Sequence, residues 1–268
     1  MMLFSISRQR AIIESDVMKE SMRAAELGAS NEEKAIEGIR QVLTILDIFF
    51  HTNPMTPREC SGFLKQVAGK FGHYANLGAV NRRGDVLCSA HPEQDTLNVA
   101  DSPWFKRAIQ SKQSAAGDYQ IARVTGKPVL MVTRPGISLD DRVQTVLFAA
   151  IDLEWLHDFH VPKRVESIEG AFLALADRNG MILPPHPKSL REAPALPNET
   201  LLEAISRGGS TKVLTAKDSR GVEYVCAVSP IQSRSSSRAF NVVLGIPGER
   251  AFAEANRSRN INLLLWEA

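Results

Sequence analysis

Two stretches of this chain repeat one another. LGAVNRRGDVL occupies residues 77–87 and LALADRNGMIL residues 173–183, 96 positions later. Leu77, Arg82, Gly84 and Leu87 match Leu173, Arg178, Gly180 and Leu183 in register. Each stretch reads as strand, turn and return strand, because glycine supplies the positive φ that closes a hairpin. Each is followed by a helix pattern and then by three more strand patterns. A tandem repeat on this scale restricts the fold to two similar α+β units. Each is expected to be an antiparallel sheet of about five strands flanked by helices. A length of 268 residues accommodates two such units, at about 150 residues per domain.

Ahead of the repeat, residues 8–50 carry a helical stripe: Ile36, Ile39, Leu43, Leu46 and Phe50 recur at three- and four-residue steps. A continuous helix here would run about 60 Å. Ser30 followed by Glu33 spells a capping box, which predicts a restart or kink near Gly28. In the first unit, strands are expected at 77–80, 85–90, 118–124, 129–134 and 143–152. A helix is expected over 101–109, with Asp101 or Ser102 as cap and Pro103 in its first turn. Thr125, Gly126 and Lys127 make a tight turn, and Pro128 suits the first residue of a strand. A short helix over 153–160 leads out. The second unit is expected to have strands at 171–176, 181–183, 211–215, 223–229 and 240–246. Its helix over 198–207 is stopped by Gly208 and Gly209. A last helix runs from 248 to the end. The divisions are therefore a long N-terminal helical region at 1–52, units at 53–160 and 161–247, and a C-terminal helix at 248–268.

Composition removes several functions. Lys and Arg nearly balance Asp and Glu, for a net charge of +2, so no basic face argues for nucleic acid. No run reaches the ~18 apolar residues of a membrane span. The first residues, MMLFSI, and the last, INLLLW, are apolar beside arginines. They read equally as cut edges of membrane helices and as ordinary termini. The three cysteines, Cys60, Cys88 and Cys226, show no zinc spacing, and spacing alone favours free thiols. HExxH, GxxxxGK[ST] and GxSxG are all absent. Arg83-Gly84-Asp85 spells an adhesion tripeptide, but the part that recurs at Gly180 is the turn and not the spelling.

The long helix and the two strand–turn–strand–helix–three-strand units resemble the double Cache family, the tandem PAS-like sensor domains of bacterial transmembrane receptors. YANLGAVNRRGDVLCS at 74–89 resembles the first hairpin of the membrane-distal unit, and DSPWFKRA at 101–108 its "D-R-P-Y/W-F-x-x-A" helix start. GDYQIARVTGKPVL at 117–130 is similar to the "R-x-T-G-K-P" strand pair, and FAAIDLEWL at 148–156 to the unit's exit. The likeness is strong over 74–156 and weaker over 171–247. Ser102 stands where the family usually has the Arg that clamps a ligand carboxylate, which argues against free amino acids. The resemblance also implies a disulfide between Cys60 and Cys88, with Cys226 a buried thiol. In an oxidising compartment such a bridge persists, contributing about 3–4 kcal/mol in the chain-entropy model.

The resemblance implies a small-molecule pocket in the distal unit, walled by Trp104 and Phe105, with Tyr119, Arg123, Arg134 and Asp152 as polar groups. Arg suits a carboxylate and Asp152 an ammonium, so the expected ligand is a small carboxylate or amine. Each residue also has a structural reading. Trp104 and Phe105 fit a core, Arg123 and Arg134 a solvated strand face, Asp152 a helix cap, and Lys127 a solvated turn. His157 and His160 stand at helical i, i+3 spacing and lack a third ligand for a metal. No metal, cofactor or nucleic acid is expected. The implied role is the periplasmic sensor region of an inner-membrane receptor, held by flanking spans outside this chain and able to form a homodimer through its N-terminal helix. The parent is expected to be a sensor histidine kinase, with a diguanylate cyclase or chemoreceptor as alternatives. The rivals are a soluble enzyme using Asp152, His157 or His160 as acid or base, and an adhesion module using Arg83-Gly84-Asp85.

Overall fold

A computed structural model of the chain describes residues 2–91, 97–123, 125–138, 140–153, 155, 168–177, 180, 182–183, 196, 198–206, 210–231 and 240–252. It opens on a single helix, α1 (Met2–Thr52). Ile36, Ile39, Leu43 and Leu46 of the expected stripe are buried. The Ser30–Glu33 box caps nothing, because the helix runs through it. Glu32 and Ile36 on this stretch are buried, so tertiary packing overrides the local start signal. The true capping box lies further on. Thr56 accepts from the Glu59 N–H, and the Glu59 carboxylate accepts from the Thr56 N–H at 2.9 Å. It opens α2 (Pro57–Lys70), a helix that the sequence patterns did not disclose.

The first sheet comprises β1 (Tyr74–Asn81), β2 (Val86–Ser89), β3 (Ala115–Ile121), β4 (Pro128–Ile137) and β5 (Val143–Asp152), with α3 (Pro103–Ser111) between β2 and β3. Its order is β2-β1-β5-β4-β3, antiparallel throughout. The second sheet comprises β6 (Phe172–Asp177), β7 (Lys212–Lys217), β8 (Glu223–Pro230) and β9 (Phe240–Pro247), in the order β6-β9-β8-β7. α4 (Asn198–Ser206) precedes β7, and α5 (Gly248–Ala251) follows β9. Of the return strand expected at 181–183, the described residues show an antiparallel bridge between Ala176 and Ile182, and the Leu183 N–H donates to the Leu175 carbonyl at 2.7 Å. Two compact units result, with α1 up to Ser30 grouping with the second sheet and from Asn31 with the first. The remainder of the last expected helix, His157 and His160 lie outside the described residues.

Both hairpin tips behave as their glycines require. Gly84 has φ 87° and Gly180 φ 75°. At Gly84 a Cβ would also stand 2.6 Å from the Ala100 backbone nitrogen. The neighbouring Asp85 carboxylate accepts from the Asn81 and Asn98 amides, both at 2.8 Å, and from Arg83 at 3.2 Å. Those bonds, the Asn81 one first, hold its pKa below the usual carboxylate value. The Arg-Gly-Asp stretch is thus a hairpin tip closed on itself.

Each sheet has its own core. In the first, Trp104, Phe105 and Ala108 of α3 pack on Val129, Met131, Val146 and Phe148. In the second, Leu201 of α4 packs with Phe172, Tyr224, Cys226 and Val243. A disulfide joins Cys60 of α2 to Cys88 of β2, their Cα atoms 5.8 Å apart. Cys226 is a buried free thiol, its pKa pushed up to about 12 by burial.

Candidate ligand site

Strand alternation divides the first sheet into two faces. On β4, Val129 and Met131 point to the α3 side. On β5, Val146, Phe148 and Ala150 do the same, and two residues further on Asp152 shares their side. The Trp104 ring lies 5.4 Å from Phe148 and meets Phe105 edge-on at 6.0 Å. Both α3 aromatics are therefore core walls beneath the N-terminal end of that helix. Ser102 holds the N-cap position of α3 and is buried, but its side chain makes no capping bond.

Asp152 is 6% exposed at the end of β5. Its carboxylate lies 2.5 Å from the Lys127 ammonium. The turn between β3 and β4 presents that lysine: the Gly126 N–H donates to the Ala122 carbonyl at 2.9 Å, and Gly126 has φ 64°. The cross-strand register puts Val129 opposite Asp152, so Lys127, two residues earlier, reaches over the strand end. The acid that suits a ligand ammonium thus already faces one supplied by the chain. Nearby in sequence, Arg123 donates to Asp101 at 2.7 Å, joining the end of β3 to the residue before the α3 cap. That hydrogen bond holds the Asp101 carboxyl below its usual pKa.

Two of the expected ligand groups face elsewhere. Arg134 is on the opposite parity of β4 to Val129 and Met131, and its guanidinium donates to Asp47 of α1 at 3.0 Å. Tyr119 pairs with Leu130, and so shares the Arg134 face. Burial raises its hydroxyl pKa. The structure brings Trp104, Phe105 and Asp152 to one face, sets Arg123 in an exposed pair with Asp101, and places Tyr119 and Arg134 on the α1 side. By sequence alone Lys127 reads as solvated. The signal that could have found it is hairpin register, which a single sequence does not specify. Among the described residues, no cluster of His, Cys, Asp and Glu is placed to hold a metal ion.

The Cache domain family model matches residues 9–255. This chain belongs to the Cache domain family. Among solved structures, the ligand-binding domain of the Pseudomonas fluorescens chemoreceptor CtaA, in complex with L-isoleucine, has a TM-score of 0.66 at 18% identity. It covers 92% of this chain and 98% of that one. The extracellular domain of rpHK1S-Z16, a protein named as a histidine kinase, has a TM-score of 0.70 at 18% identity, covering 89% and 96%. At such identities the likeness is one of fold. Sporulation kinase D of Bacillus subtilis (strain 168) is 25% identical over 103 residues, which is 38% of this Cache chain and 20% of the kinase. The match thus spans a fifth of that kinase's length.

Proposed function

We propose that this Cache domain is the extracytoplasmic ligand-sensing region of a bacterial transmembrane receptor, most simply a sensor histidine kinase. The observation that carries the reading is the family match across residues 9–255 on a chain folded as one long helix and two tandem sheets. On this reading it is a double Cache region, with 53–160 the membrane-distal unit and 161–247 the proximal one. Flanking spans hold it to the membrane. Among the described residues no helix is long and apolar enough to cross one. The chain acts as a sensor, not an enzyme.

The ligand is a small molecule bound on the α3 face of the first sheet, with Trp104 and Phe105 as walls and Asp152 as the charged anchor. One feature favours an amine over a free amino acid: Ser102 stands where the family resemblance expects the carboxylate-clamping arginine. An amine reaches Asp152 by displacing the Lys127 ammonium that now faces it. Ligand binding favours one arrangement of sheet and covering loops, to the extent of its differential affinity for the two. The helices then carry the shift as a small slide or rotation. Exposed Ile45 and Ile48, at i, i+3 on α1, suit helix pairing in a homodimer.

A thermal-shift screen of small amines, carboxylates and purines tests this, because a ligand that binds only the folded state raises Tm. The expected hit is an amine whose shift disappears in Asp152→Asn. An amine hit that Asp152→Asn leaves unchanged overturns the assignment of the site.

A further inference from the structure

A cavity of about 450 Å³ lies on the first unit, away from the α3 face. That is within the ~300–1,000 Å³ range of small-molecule sites. One wall is a single face of α1, with Asn31, Lys34, Gly38 and Val42 at three- and four-residue steps. The other is aromatic. Phe71, His73 and Tyr74 come from the junction of α2 and β1, and Trp155 from just beyond β5. The rings are already assembled: His73 is 4.1 Å from Tyr74 and 4.4 Å from Trp155, and Phe71 meets Tyr74 edge-on at 6.1 Å. The Asp152 N–H donates to the His73 carbonyl at 2.9 Å, pinning this junction to the end of β5.

Two observations bear on what the cavity takes. Gly38 sits inside a helix, where glycine costs about 1 kcal/mol relative to alanine. A Cβ there would meet nothing within 4 Å, so close packing does not account for the glycine. Its effect is to leave the helix wall open. The second observation is charge. Among the described residues, the lining contains the Lys34 ammonium and no carboxylate. Burial lowers the pKa of His73, so that ring is neutral at neutral pH, and Tyr74 is held protonated by burial, its pKa raised to about 12. The polar groups on offer include the donors Asn31, Lys34 and Tyr74. Aromatic walls favour a planar body, through offset or edge contacts.

We propose that this cavity is a binding site for a planar monoanion, an aromatic carboxylate, with its ring against Phe71, Tyr74 and Trp155 and its carboxylate toward Lys34. It goes beyond the Asp152 site and does not depend on it.

Calorimetric titration with 2-naphthoate, and with 2-naphthylmethylammonium as the cation of matched shape, tests the site. Saturable binding of the anion is expected, at least about tenfold tighter than the cation. Lys34→Glu should weaken naphthoate by at least about tenfold. Gly38→Leu, which favours the helix and fills the space, should weaken it similarly, while Asp152→Asn should leave it unchanged. Trp155→Phe should keep the binding and remove the accompanying quenching of tryptophan fluorescence. Equal affinity for the two probes, no saturable binding below about 1 mM, or indifference to Lys34→Glu overturns the proposal. Loss in Asp152→Asn alone overturns it too, by placing the anion on the α3 face. Failure of the amine screen leaves this site untouched, so the two readings fail separately.

Discussion

Lys127 and Asp152 show how little one residue's chemistry says about its role until its partner is known. Asp152 is buried, and an unpaired buried carboxylate is costly. The lysine is half exposed, so the pair contributes less than a fully buried one. Lys127→Met should therefore destabilise the protein by about 1–2 kcal/mol in urea unfolding, and Asp152→Asn by less, since it removes the buried charge itself. Equal losses in both would show that the pair is not the source. His73 supplies a pH dependence. Burial lowers its pKa below the ordinary 6.5. In the window between that lowered value and 6.5 the unfolded chain binds more protons than the native one, so stability rises with pH there. The contribution is complete above pH 6.5 and is lost as pH falls below it. His73→Phe should flatten this part of a stability–pH curve measured by denaturant midpoint; an unchanged slope would assign it to another group.

At the scale of elements, the hairpins were the most legible part of the chain. A turn that needs positive φ selects glycine locally, so Gly84 and Gly180 could be placed from neighbours alone. Two glycines with positive φ need not be equal, however. Gly126 has φ 64° with open space around its would-be Cβ, whereas at Gly84 that atom would run into the backbone of Ala100. Gly126→Ala should cost only the left-handed penalty of about 1–2 kcal/mol, and Gly84→Ala clearly more. Comparing their unfolding midpoints checks the order, and a reversed order would refute the steric account. Elements governed by tertiary packing were less legible. The Ser30–Glu33 box reads as a start, yet α1 passes through it. α2 carries no legible stripe, because its apolar residues are few and Cys60, Ser61 and Leu64 are its buried face.

At the scale of the whole molecule, the repeat predicted two α+β units and the structure contains two sheets. The proposed sensing and helix pairing belong to this scale, since both concern one long helix. If α1 pairs with a second copy through Ile45 and Ile48, the native protein should sediment as a dimer at tens of micromolar and the Ile45→Glu, Ile48→Glu double variant as a monomer. Because both isoleucines are exposed, the variant should stay folded. A native monomer across that range would rule this pairing out.

Sequence by itself determined the order of the strands along the chain, the hairpin tips at Gly84 and Gly180, and the strand alternation that groups Phe148, Ala150 and Asp152. These follow from local rules: positive φ for glycine, and a side-chain period of two along a strand. Only tertiary structure decided which helix covers which face. It sent Arg134 to Asp47 and Tyr119 to the α1 side, brought Lys127 over Asp152, and gathered Phe71, His73, Tyr74 and Trp155 around one cavity. Cross-strand register and helix docking are set by contacts between residues far apart in the chain. No window of sequence contains both partners.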